Sequence, residues 1–129
     1  MDYRQLLVNK MMTPDGTILE SYSTHDAKYH IDKNGNTYMN DGGLDYIHRI
    51  QNGDEVDLSI YTDDPHEKIR DNFTWGTRGK SGKSKLKWIL LKDLETDHIE
   101  NIIKTQTRLP DFIKKVFTDE LEFRKNNYK

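Results

Sequence analysis

Three pairs ending in glycine, Asp15-Gly16, Asn34-Gly35 and Asn52-Gly53, punctuate the first half of this 129-residue chain. Such pairs readily adopt positive φ, and they predict two-residue hairpin turns. Between and around them lie segments of strand length rich in Thr, Tyr and Ile: Thr17–Tyr22, Lys28–Asp32, Asn36–Met39, Leu44–Ile50 and Val56–Tyr61. The pattern predicts an antiparallel β-meander, with Asp41-Gly42-Gly43 as a break or bulge. Leu86–Leu91 reads as a further, strongly apolar strand in which Trp88 is expected to be core. Glu67–Trp75 fits either a strand or a helix, because Asp64-Pro65 before it is also a helix-start signal.

The period changes in the last third. Thr96 suits a helix N-cap, Asp97 its first turn, and Ile99, Ile102, Ile103 and Gln106 follow at i, i+3, i+4 and i+7. A second helix opens at Pro110-Asp111 and carries the stripe Leu109, Phe112, Ile113, Val116, Phe117 and Leu121. Arg124 and Lys125 complement its C-terminal end, and Asn126-Asn127 suit the cap. The expected class is α+β: an antiparallel sheet over about 13–93, then two amphipathic helices over 95–126 packed on one face. A chain of this length predicts a single domain, 1–129. Only 29 residues are Leu, Ile, Val or Phe, so the core is expected to be thin and self-association to add burial. No apolar run approaches the roughly 18 residues of a spanning helix. The N-terminus lacks a signal-peptide core, so a cytoplasmic location is expected. There is no cysteine, which excludes disulfides and thiol catalysis.

Charge is segregated. Residues 1–65 carry 5 basic and 12 acidic side chains, residues 66–92 carry 8 and 2, and residues 93–129 carry 7 and 8. The basic segment contains Gly79-Lys80-Ser81 and Gly82-Lys83-Ser84, which imitate a phosphate loop. A Walker motif needs glycine five places before its Gly-Lys; Thr74 and Thr77 stand there, and a strand follows where a helix must. What remains is a flexible basic hairpin loop or a weaker anion-binding loop, with Arg78, Lys80, Lys83 and Lys85 as its cations. Phe73, Trp75 and Trp88 flank it, and aromatics beside cations can stack a base. His66-Glu67-Lys68-Ile69-Arg70 begins like a zinc-protease helix, but Arg70 replaces the second imidazole, so no metal is expected. No nucleophile elbow exists, and the many aspartates cluster at turns, so neither an enzyme nor a cofactor is expected. Asn101 projects away from the isoleucine stripe, Arg108 lies at the helix junction, and Arg124 borders the apolar stripe. The acidic remainder of the chain argues against direct nucleic-acid binding through the basic segment.

The strings Thr13-Pro14-Asp15-Gly16-Thr17, His25-Asp26, Asn34-Gly35, Tyr38-Met39, Asp41-Gly42-Gly43 and Asp45-Tyr46 have a familiar pattern. With Trp75-Gly76, Gly79-Lys80, Gly82-Lys83 and Glu120-Leu121-Glu122-Phe123-Arg124, it resembles a family of small bacteriophage proteins over residues 13–125. That family is similar to the anti-Thoeris sponges, which sequester cyclic ADP-ribose signals made by bacterial TIR-domain defence enzymes. The resemblance implies a sheet followed by two helices, a homo-oligomer, and action in the cytoplasm of an infected host. It also implies ligand contacts from aromatic, Asn and Arg side chains. The expected binding residues are Phe73, Trp75, Arg78, Asn101, Arg108 and Arg124, in a pocket within one chain or between chains. Thr24, Ala27 and His48 depart from the basic, aromatic and arginine residues the resemblance leads one to expect. The competing expectation is a protein–protein antagonist of a host defence or nucleic-acid-binding protein.

Overall fold

The computed structural model describes residues 4–79 and 82–127. Its class is α+β, with antiparallel sheets first and helices at the C-terminal end. Two compact units divide the chain, Met1–Tyr61 and Thr62–Lys129, so the boundary falls well before the change of period near residue 95.

The first unit holds seven strands in two sheets rather than one meander. These are β1 (Leu6–Met12), β2 (Ile18–Ser21), β3 (Lys28–Ile31), β4 (Thr37–Asp41), β5 (His48–Ile50), β6 (Val56–Asp57) and β7 (Ile60–Tyr61). Strand β1 has no counterpart in the sequence expectations. It pairs with β2 on one side and with β6 and β7 on the other, while β3, β4 and β5 form a separate three-stranded sheet. The expected Leu44–Ile50 strand is reduced to His48–Ile50, and the expected Val56–Tyr61 strand is interrupted between Asp57 and Ile60. Gly42 (φ +116°) and Gly43 (φ +54°) turn the chain after β4, and a methyl group on Gly42 would meet the Tyr46 carbonyl.

The hairpin turns are longer than expected. In the first, the Gly16 amide donates to the Thr13 carbonyl and the Thr13 amide to the Thr17 carbonyl, enclosing Pro14, Asp15 and Gly16. The Asp32–Asn36 turn repeats this arrangement. Gly16 and Gly35 take positive φ while Asp15 and Asn34 do not, which is the three-residue loop with a glycine bulge. The aspartates serve as turn acceptors. Asp32 Oδ1 receives the amides of Asn34 and Asn36, each at 2.9 Å. Asp15 accepts from the Thr13 hydroxyl, lies 2.7 Å from His30 Nε2 and receives the Thr17 amide. These bonds, that of Thr13 first, hold its carboxyl well below the usual carboxylate range.

The interior of this unit is small and partly polar. Met11, Leu19 and Tyr38 form its apolar cluster. Beside them Asn9 and Asn40, both fully buried, tie the sheets together: Asn40 Nδ2 donates to the Asn9 and Leu19 carbonyls, and Asn9 Nδ2 to the Asp41 carbonyl. The Arg49 guanidinium closes the network on Asn40 Oδ1 (2.8 Å), Asn9 Oδ1 (3.1 Å), Ser59 Oγ (2.9 Å) and Asp57 Oδ1 (3.1 Å). A core short of apolar volume is thus held by satisfied amides and one cation.

The second unit comprises α1 (His66–Asn72), the hairpin β8 (Thr74–Thr77) and β9 (Lys87–Leu90), a 3-10 turn (Leu91–Asp93), α2 (Thr96–Thr105) and α3 (Asp111–Asn127). The ambiguous stretch 67–75 is therefore helix first and strand after, and the described residues hold three α-helices where two were expected. Helix α1 starts behind Pro65, and the Phe73 amide closes it on the Ile69 carbonyl. Thr96 is the first helical residue of α2 rather than its cap; Glu95 stands there with extended dihedrals and no side-chain capping bond. Apolar faces meet as the stripes predicted, with Ile69, Phe73, Leu91, Leu94, Ile99, Ile102, Ile113, Val116 and Phe117 buried.

Candidate functional site

The second unit carries a cleft of about 880 Å³ between the β8–β9 hairpin and the length of α2 with the turn before it. Cross-strand register decides which hairpin residues reach it. Trp75 pairs with Ile89, while Gly76 pairs with Trp88, so the two tryptophans lie on opposite faces. Trp75 and Ile89 line the cleft. Trp75 is half-buried, and its ring stands edge-on to the fully buried Phe117, with centroids 5.2 Å apart at 85°. Phe73 backs the same residue at 6.0 Å and 74°. Such edge-to-face contacts fix ring orientation.

Beyond Trp75 the hairpin wall continues through Gly76, Thr77, Arg78 and Gly79. Gly79 takes φ +80°, and its amide donates to Thr77 Oγ1. The Ser84 amide donates to the Arg78 carbonyl, which closes the base of the loop and leaves the Arg78 side chain exposed. Facing this wall are Asp93, Glu95, Asp97, His98, Asn101 and Thr105. Asp97, Asn101 and Thr105 recur at i, i+4 and i+8, one polar strip along α2. Thr105 returns its hydroxyl to the Asn101 carbonyl at 2.7 Å, which leaves the Asn101 amide side chain exposed on the strip.

The cleft is therefore two-sided. One wall offers an aromatic ring and a guanidinium; the other offers carboxylates and a carboxamide. Hydroxyl groups donate well to carboxylates, and phosphate oxygens accept from guanidinium and backbone amides. Guests that join a hydroxyl-rich sugar to a phosphate and a flat base match both walls.

Three expected binding residues, Trp75, Arg78 and Asn101, meet here, and three do not. Phe73 is 2% exposed and spent in the core. Arg108 is exposed in the connection between α2 and α3, outside the cleft lining. Arg124 is buried, because its guanidinium is occupied: Nε donates to Glu120 Oε2 at 2.7 Å, Nη1 to Thr96 Oγ1 and Nη2 to the Leu91 carbonyl. It holds the segment that leads into α2 and acts on the cleft only through that segment. Trp88, expected in the core, is 40% exposed. Lys80 of the basic loop lies outside the described residues, as does Ser81.

Glu120 is the centre of the buried ion cluster behind these elements. Fully buried, it accepts from Arg70 Nε and Nη2 (both 2.9 Å) and from Arg124, and lies 2.9 Å from His66 Nε2. Burial opposes its ionisation, yet the hydrogen bonds from Arg70, Arg124 and His66 outweigh that and hold its carboxyl below the usual range. The His-Glu-Lys-Ile-Arg stretch is indeed a helix, and its i, i+4 pair grips a carboxylate. Among the described residues no group of three His, Cys, Asp or Glu side chains could hold a metal ion. Among them, too, no helix is long and apolar enough to cross a membrane.

No family model, curated protein or solved structure matches the chain.

Proposed function

We propose that this protein is a phage counter-defence protein that binds a cyclic nucleotide immune signal of the cyclic ADP-ribose type and sequesters it unchanged. The observation that carries the reading is the two-sided cleft, with Trp75 and Arg78 opposite Asn101 and the carboxylates of Asp93 and Asp97. The base stacks on Trp75, the pyrophosphate meets the Arg78 guanidinium, and the ribose hydroxyls donate to the carboxylates. Three carboxylates beside one guanidinium disfavour a bare polyphosphate, so the sugar is the part of the guest that makes capture selective. Holding such a guest requires no nucleophile, and the resemblance to the phage family points the same way. Action in the host cytoplasm and self-association belong to the same proposal. Tyr29 (64% exposed) and Ile31 (66%) offer apolar surface for the latter.

Calorimetric titration with cyclic ADP-ribose isomers tests it, together with chromatography of the ligand released by heating. Heat of binding with intact ligand recovered supports the proposal; no heat with any isomer, or a cleaved product, overturns it. Arg78→Ala is expected to weaken binding about 10- to 150-fold, the worth of charge-assisted bonds, with an unchanged melting temperature because the side chain is exposed.

A second reading, antagonism of a host protein, is favoured by the first unit. Tyr29, Met39 and Ile50 are cross-strand partners on one sheet face, and Tyr29 and Ile50 are exposed. Residues 1–61 carry 10 acidic and 5 basic side chains. A stoichiometric host protein retained without any small molecule, in a pull-down, favours this reading over sequestration.

A further inference from the structure

The register of the hairpin brings a second cation to the cleft. Thr77 pairs with Lys87, two positions along the ribbon from the pair Trp75 and Ile89. Directly opposed residues share a sheet face, and every second residue of a strand returns to it. Trp75, Thr77 and Ile89 all line the cleft, so Lys87 stands on the cleft side, at the end of the ribbon where the loop begins. It lies outside the lining itself, at the rim. The β-carbons of directly opposed residues are about 5 Å apart, and Arg78 is the residue after Thr77. Two cations are thus rooted side by side at one end of the same wall.

The surroundings leave Lys87 available. Its side chain is exposed, and its ammonium has no hydrogen-bond or ion-pair partner among the described residues. Other cations nearby are committed elsewhere: Lys92 lies 3.7 Å from Asp71, and Arg124 is spent on Glu120. Arg78 and Lys87 also differ in what they can hold. A guanidinium fork grips one phosphate through two parallel bonds, whereas an ammonium is a point charge on a flexible stem that can follow a second phosphate beside the first. A guest with a single phosphate satisfies Arg78 and leaves Lys87 unanswered. The opposite wall, with Asp93, Glu95 and Asp97, repels any phosphate that is not met at the hairpin end.

We infer that Lys87 is a specificity-determining residue of the cleft, holding the second phosphate of a pyrophosphate-bridged guest while Arg78 holds the first, so that such guests are selected over cyclic nucleotides with one phosphate. The inference rests on the sequestration reading above and adds to it a residue and a preference. Calorimetric titration of cyclic ADP-ribose and of cyclic AMP into the full chain, at low and at physiological salt, tests it. Wild type is expected to bind cyclic ADP-ribose at least about 10-fold more tightly than cyclic AMP, since a hydrogen bond to a charged group is worth at least that much. Lys87→Gln is expected to weaken cyclic ADP-ribose about 5-fold at low salt, the upper worth of an exposed charge pair, and less at physiological salt, where screening shortens the interaction. It should leave cyclic AMP and the melting temperature unchanged, and Lys87→Arg should retain binding. Lys114→Gln, which removes an exposed lysine of α3 outside the cleft lining, should have no effect on either guest. No binding of cyclic ADP-ribose to wild type would overturn the sequestration reading and this inference together. Normal wild-type binding with an unchanged Lys87→Gln protein would overturn this inference alone. So would equal wild-type affinity for the two guests, or an equal loss from Lys114→Gln, which would mark a general field in place of a second phosphate contact.

Discussion

Glu120→Gln is expected to cost about 3–5 kcal/mol, the range for removing one partner from a buried ion cluster, and to lower the melting temperature by about 12–20 °C for a chain of this size. The amide keeps the shape and some hydrogen bonds but leaves Arg70 and Arg124, both largely buried, facing a neutral group. Thermal unfolding followed by circular dichroism measures the loss. Its pH dependence separates charge from packing. The folded-state pKa of Glu120 lies below its ordinary value of 4.5. Its stabilising contribution is therefore complete above that pH and is lost as the pH falls through the folded value. The gap between wild type and E120Q should be widest near neutrality and narrow below about pH 4. A gap that stays constant through acid would show that packing, not charge, gives Glu120 its weight.

Phe117→Ala is expected to cost about 3–5 kcal/mol as well, through lost burial and the cavity left behind. Phe117 is fully exposed to no solvent and meets the rings of both Phe73 and Trp75. Because Trp75 is held edge-on by this ring, the substitution should also loosen the aromatic wall of the cleft. Two measurements distinguish the effects: unfolding free energy, and affinity for cyclic ADP-ribose at a temperature where the variant remains folded. Phe117→Leu restores much of the volume and should recover more stability than affinity. Equal recovery of both would mean that the edge-to-face contact does not position Trp75.

Much of the fold is legible in local chemistry. The glycine pairs mark true turns, since Gly16, Gly35 and Gly53 all take positive φ, and the isoleucine and phenylalanine stripes mark faces that are buried. What escaped was set by distant partners. Strand β1 sits in a run, Leu6–Met12, whose alternation is blurred because both its flanks are occupied by other strands and Asn9 is buried among amides. Of the site, Trp75, Arg78 and Asn101 were readable as an aromatic, a cation and a polar helix position. The polar strip opposite is signalled by Asp97, Asn101 and Thr105 at helical spacing. Glu120 was legible only as a carboxylate inside an apolar stripe and four residues before Arg124, a hint that gains meaning once α1 brings Arg70 and His66 to it.

The placement of the chain's two tryptophans on opposite faces of one hairpin gives the protein a pair of built-in optical reporters. Trp75, half shielded by Phe117, should emit at shorter wavelength, and Trp88, 40% exposed, at longer wavelength with readier quenching by iodide. Single-tryptophan variants would turn these into two separate channels, each silent to events on the other side of the ribbon.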